Sequence, residues 1–319
     1  MAKTLHLKDR KILYALDRNS RATHSEIAKE VGLSPEAVAY RIKQLENKGI
    51  IVAYQPVINL SKLGQVMFKL CLSFQYLSEK ELETIIAELK KKEYIRWITT
   101  VQGRWDLFIS VVVDGMHKID SVKNEILSFF GEKVREKVLS IINKTSIFSR
   151  EYFFDKWDVV DRLVVDSSDK VAVDDLSLKI LNELSLNARI SLVELAEKVN
   201  STVRIVQYRI KELEKQGIIE GYTISIDYSK LGILYYKCFI YLGNASVKRI
   251  KEFQNYLKQQ KNVLHDVCVL SEWDYEPEFE VFSEEEFNTI LADLRERFSD
   301  IISRIDTTTI RKEYKFVYF

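Results

Sequence analysis

The sequence predicts an α+β protein made of two tandem copies of a winged helix-turn-helix followed by a ferredoxin-like βαββαβ domain. Three observations carry that prediction. The phrase AYRIKQLENKGII at residues 39–51 returns as QYRIKELEKQGII at 207–219, and Tyr40/Tyr208, Arg41/Arg209, Gly49/Gly217, Tyr54/Tyr222 and Gly64/Gly232 all lie 168 residues apart. This register runs without a gap from Lys11/Lys179 to Gly64/Gly232, with about 25 identities in about 55 positions, so the chain is a duplication. Helix punctuation fills the first part of each copy, and alternating strand and helix patterns fill the rest.

In copy one, Ile12, Leu13 and Leu16 keep helical spacing over residues 8–19. Thr23 and Glu26 form a capping-box pair for a second helix with Ile27, Ala28 and Val31 inward, and Gly32 suits its left-handed end. Ser34-Pro35 opens a third helix, in which Val38, Ile42 and Leu45 share one face, up to Gly49. Residues 50–54 and 57–58 are expected as two short strands of a wing. In copy two, Val199-Asn200-Ser201 stands where copy one has Gly32-Leu33-Ser34, and asparagine also adopts the left-handed conformation.

Beyond Gly64 the order is strand 66–76, helix 79–92, strands 95–101 and 107–113 joined across Gln102-Gly103-Arg104-Trp105-Asp106, helix 117–130 and strand 136–148. This is the split βαββαβ unit. The second copy repeats it over 235–316 and is expected to be about six residues shorter near its end. The divisions are 1–64 and 176–232 for the helix-turn-helix domains and 65–150 and 233–319 for the ferredoxin-like domains. Residues 151–175 form an acidic, solvated linker, in which VVDRLVV could add an edge strand.

The bulk numbers fit a multidomain globular chain: 319 residues, 46% hydrophobic and 30% charged, with a net charge of +1. Charge is +5 over residues 1–64 and −5 over 151–175, so basic character gathers at the front. No apolar run is long enough for a transmembrane helix, and MAKTLHLKDRK lacks a signal-peptide core, which makes the cytoplasm the expected location. Cys71, Cys238 and Cys268 read as small buried hydrophobes, and the four histidines have no metal-ligand spacing. No catalytic residue, metal or cofactor is expected.

The repeated phrase is the helix that enters a major groove. A DNA reader needs small residues at the helix start and hydrogen-bonding or cationic side chains one turn later. Ser34, Ala37, Tyr40, Arg41 and Lys43 meet that need in copy one. Thr202, Arg204, Gln207, Tyr208, Arg209 and Lys211 meet it in copy two, with Gln207 suited to adenine and Arg204 to guanine. The plainer reading of such a face is simple solvation.

Residues 7–64, through LKDRKILYAL, NSRATHSEIAKEVGLSPEAVAYRIKQLENKGII and Leu63-Gly64, resemble the leucine-responsive regulator/AsnC (feast/famine) family. The following half resembles that family's effector-binding and oligomerisation domain, whose signature turn of Gly, two residues and Asp is here Gly103-Arg104-Trp105-Asp106. The resemblance implies a transcription factor bound to double-stranded DNA, self-association through the ferredoxin-like sheets and no membrane partner. It also implies a small effector, such as an amino acid, near Gly103, Trp105 and Asp106. Core packing is the plainer role for Trp105 and Trp273.

The tandem fusion departs from the family's single copy and implies a covalent pseudo-dimer reading an asymmetric site. Copy two also departs at its turn, Ser271-Glu272-Trp273-Asp274, and in the following strand, where Glu276, Glu278 and Glu280 occupy alternate positions. These glutamates are expected on a solvated face, through decay of an interface or, on a sharper reading, to hold an amine-bearing effector. The competing functions are a siroheme decarboxylase, which resembles the same two-domain family and would use a histidine near His265, and an interaction protein that has lost DNA binding.

Overall fold

Local sequence signals set the helices of the computed structural model, which describes residues 5–154 and 159–319. The first four residues and 155–158 of the expected linker lie outside the described residues. Helices α1 (Leu7–Arg18), α2 (His24–Val31) and α3 (Pro35–Asn47) form the first helix-turn-helix. Thr23 and Glu26 cap α2 reciprocally, and Gly32 ends it at φ +66°. Thr23→Ala removes the cap and should cost about 1 kcal/mol, visible as an earlier denaturation midpoint.

The expected wing takes another form. One strand, β1 (Ile51–Ile58), runs on through Tyr54-Gln55-Pro56, where these residues pair with Ile224, Thr223 and Tyr222. Next come β2 (Val66–Phe74), α4 (Glu79–Lys90), β3 (Ile95–Gln102), β4 (Leu107–Val113), α5 (Ile119–Ser128) and β5 (Val134–Phe148). A short strand, β6 (Asp161–Val165), precedes the second helix-turn-helix of α6 (Asp175–Leu186), α7 (Leu192–Lys198) and α8 (Val203–Lys215). Asn200 takes the left-handed conformation at φ +52°, where copy one uses Gly32. The chain continues through β7 (Ile219–Ile226), β8 (Leu234–Leu242), α9 (Val247–Gln259), β9 (Val263–Leu270), β10 (Glu278–Val281), α10 (Glu284–Arg297) and β11 (Ile302–Phe316).

The partner of β1 is β7 of the other copy: the two pair antiparallel, so the two-stranded ribbon joins the repeats. Reciprocal contacts surround it. Arg21 donates to the Ala188 carbonyl (2.5 Å), and Arg189 donates to that of Ser20 (2.6 Å). Lys62 donates to the Gln216 carbonyl at 2.6 Å and Lys230 to that of Lys48 at 3.0 Å.

The second copy is not shorter. β2, β3 and β5 correspond to β8, β9 and β11 at the same 168-residue offset, so the register persists through the last strand. Drift in side chains, not a deletion, disguises it.

Each copy forms a four-stranded antiparallel sheet, and the two sheets join edge to edge through β3–β11 and β5–β9. Because β2 pairs with both β4 and β5, the ring of eight strands closes, and β6 attaches outside it along β5. Trp97, Trp105, Phe108, Phe239 and Trp273 fill the interior. The sheets' inner faces therefore meet within one chain.

The 151–175 segment is only partly the solvated linker expected. Glu151, Tyr152 and Phe153 are buried, and so is Arg162 of β6, because these residues pack against the first helix-turn-helix. Arg162 donates to the Asp17 (3.0 Å) and Arg18 (2.6 Å) carbonyls.

Candidate functional site

The two recognition helices hold their apolar stripes inward and their polar faces out. Val38, Ile42 and Leu45 are buried in α3, as are Val206, Ile210 and Leu213 in α8. Ser34 caps α3 by accepting from the Ala37 amide, and Thr202 caps α8 by accepting from that of Ile205. Tyr40 is 66% exposed and Tyr208 58%, while Lys43, Arg204, Gln207 and Lys211 are exposed beside them. Ala37 is half-buried.

Arg41 and Arg209 sit at the flank and are anchored. Arg41 pairs with Asp9 of α1 at 2.8 Å, and Arg209 with Asp174, the N-cap of α6, at 2.7 Å. Each remains partly exposed, so its guanidinium braces the recognition helix against the first helix while leaving an edge outward.

The outward faces differ between copies. Glu36 on α3 corresponds to Arg204 on α8, Ala37 to Ile205 and Ala39 to Gln207. Ile205 is 44% exposed, so copy two presents a large apolar side chain where copy one has the small Ala37.

The Gly-x-x-Asp turn has structural duties. The Asp106 carboxylate accepts from the Phe74 amide at 2.8 Å, and that of Asp274 does the same for Leu242 at 2.7 Å. Trp105 and Trp273 are each 1% exposed and approach each other with ring centroids 6.4 Å apart across the seam. Of the three expected effector residues, Trp105 is thus buried in the barrel, while Gly103 and Asp106 remain at the surface.

The expected solvated face of glutamates is reversed: Glu276, Glu278 and Glu280 are all buried. Cations that the sequence hides in apolar strands make this stable. Glu276 bonds Lys69 and, at 3.0 Å, Lys237, and it accepts from Trp273 Nε1 at 2.6 Å. Glu278 meets Lys237 at 2.6 Å and His265 Nδ1 at 2.7 Å, and accepts from the Tyr235 hydroxyl. Glu280 meets Arg150 Nε at 2.8 Å and accepts from the Tyr152 hydroxyl. Arg150 also pairs with Asp17 of α1 at 2.6 Å, linking the barrel to the first helix-turn-helix. Although burial opposes ionisation of Glu278, the Lys237 and His265 charges and their hydrogen bonds hold it below the usual carboxylate range. Pro277 lies just outside β10, where the pairing is interrupted between the Tyr275 bridges and Glu278.

Beside this lattice lies a cavity of about 470 Å³, lined by the end of β7, Tyr228, the barrel rim and β11. Glu313 of β11 lines it and accepts from Trp97 Nε1 at 2.7 Å. Burial pushes its carboxyl up to about 7, against the Trp97 bond, with Glu278 and Glu280 adding to the rise. Cys71, Cys238 and Cys268 are free thiols, the first two buried. Among the described residues no three His, Cys, Asp or Glu side chains group as metal ligands, and no helix is long and apolar enough to cross a membrane.

The winged helix-turn-helix DNA-binding family matches residues 5–52 and 173–220. An uncharacterized HTH-type transcriptional regulator of Pyrococcus furiosus is 37% identical over 103 residues, 32% of this chain and 68% of that protein. LrpA of Pyrococcus horikoshii is 35% identical over 122 residues, 37% of this chain and 84% of LrpA. LrpB of Bacillus subtilis is 31% identical over 126 residues, 38% of this chain and 80% of LrpB. Among solved structures, the siroheme decarboxylase NirDL overlays 97% of this chain and 93% of its own with a TM-score of 0.63; at 13% identity, the likeness is one of fold.

Proposed function

Because the chain belongs to the Lrp/AsnC family of helix-turn-helix transcriptional regulators, we propose that it binds an asymmetric duplex DNA site as a covalent pseudo-dimer. The observation that carries this reading is the pair of exposed, unlike recognition faces on α3 and α8, tied together by the β1–β7 ribbon. Residues 1–64 and 176–232 act as the DNA-binding units, and 65–150 and 233–319 as the regulatory half. Ser34, Ala37, Tyr40, Arg41 and Lys43 contact one half-site, and Thr202, Arg204, Gln207, Tyr208, Arg209 and Lys211 the other. Tethering raises the effective concentration of the second contact once the first has formed. A small effector, such as an amino acid, acts on the barrel half, and any association between chains uses surfaces outside the sealed inner faces.

Gel-shift assays with genomic fragments across a salt series test the reading. Affinity should fall steeply with salt as phosphate contacts release counter-ions, and Lys43→Ala should reduce the slope of the log–log plot by about 1. Unchanged affinity in both Lys43→Ala and Tyr40→Ala would remove α3 from the interface. Whole-length fold likeness to a siroheme decarboxylase motivates one enzymatic control. His265 is held by Glu278, while copy one has Trp97 at the matching position. Incubation with siroheme under reducing conditions should leave the substrate unchanged.

A further inference from the structure

We infer that the cavity beside β11 is a binding site for a small organic ammonium ion, with Glu313 as its counter-ion. The inference concerns a site apart from the DNA-binding faces and does not depend on them. Its size lies in the range of ligand pockets, roughly 300–1,000 Å³.

Charge accounting singles out Glu313. Glu276 has Lys69 and Lys237, Glu278 has Lys237 and His265, and Glu280 has Arg150. Glu313 has only the neutral indole N–H of Trp97, and among the described residues no basic side chain lies within ion-pairing distance of it. A half-buried carboxylate facing a cavity without a counter-ion is unfavourable, and a ligand ammonium supplies the missing charge. The raised proton affinity of this carboxyl agrees with an unmatched negative site.

The basic groups on the cavity wall are engaged elsewhere or stand at its rim. Arg150 is held by Asp17 and Glu280, and Lys315 donates to the Lys90 and Lys92 carbonyls. Lys312 lies over the Tyr314 ring and 3.8 Å from Glu83, and Arg311 is exposed. The remaining wall suits a cation. Tyr228 and Tyr235 meet edge to face at 5.2 Å, and Phe316 and Tyr318 at 4.8 Å, so aromatic surfaces surround the space. Among the described residues the Tyr228 and Tyr318 hydroxyls have no hydrogen-bond partner and are available as acceptors.

Comparison between the copies shows that these features are particular to the second. At the 168-residue offset, Tyr228, Tyr235, His265, Glu280 and Glu313 correspond to Leu60, Met67, Trp97, Val112 and Thr145. The space bounded by Leu60, Met67, Trp97 and Thr145 is only about 70 Å³, with Val164 of β6 and the 316–318 segment against it. Glu276 and Glu278 reach the smaller space together with their partners Lys69, Lys237 and His265, whereas Glu313, Tyr228 and Tyr235 line only the roomy one.

Calorimetric titration of the full chain without DNA, at pH 8, tests the assignment. The probes are 2-phenylethylamine, its neutral analogue 2-phenylethanol and the anion 3-phenylpropanoate. The amine should bind one to one, and Glu313→Gln, which keeps an acceptor for Trp97, should weaken it about tenfold or more. Tyr228→Phe should weaken it less, and Thr145→Val in the matching position of copy one should leave it unchanged. Equal affinity for amine and alcohol, preference for the anion, no heat from any probe, or full binding by Glu313→Gln would each overturn the site. Since DNA is absent, these outcomes stand or fall separately from the gel-shift result.

Discussion

Arg150→Met is expected to destabilise the protein by about 3–5 kcal/mol, measured as an earlier urea midpoint at pH 8. The guanidinium of Arg150 lies between the Asp17 and Glu280 carboxylates, and its backbone amide also donates to Asp17 at 2.7 Å. Methionine fills much of the volume but leaves two buried carboxylates facing each other, with Tyr152 and Thr223 as their remaining side-chain donors. An unchanged midpoint would show that this guanidinium does not hold the two buried carboxylates together.

Glu276→Leu should also be damaging, by up to about 3–5 kcal/mol, because it removes the carboxylate partner of Lys69, whose amine burial and the Lys237 charge already hold well below the usual lysine range. Lys237 keeps Glu278, so the injury falls mainly on Lys69. The double variant Lys69→Met/Glu276→Leu removes charge in a balanced way and should recover most of the loss. A double-mutant cycle on urea midpoints reads this coupling directly. Additive losses would show that the two side chains do not depend on each other.

Elements governed by local chemistry were legible from the sequence. Thr23 and Glu26 specify the start of α2, Ser34 and Pro35 that of α3, and Asn200 supplies the left-handed residue that Gly32 supplies in copy one. The outward positions of Tyr40, Lys43, Gln207 and Lys211 follow from helical period alone. What periodicity could not decide was the identity of each surface's neighbour. The β1 strand was legible, but its partner lies in the other copy, a choice no local pattern encodes. Alternating glutamates normally mark a wet strand face, and here they mark a charged interior. The available signal was the matched pair Lys69 and Lys237, one lysine at the same place in each otherwise apolar strand. Cations and anions drawn from strands far apart in the chain are complementary only once the ring has closed.

The unbroken 168-residue offset combined with a one-sided glutamate lattice has an evolutionary corollary. In a homodimer every mutation is mirrored, so a new acid near the axis confronts its own image. Here a single codon can place Glu276 opposite two lysines while its counterpart remains Phe108. Fusion thus frees each half from self-complementarity and lets one half evolve a chemistry the other never acquires.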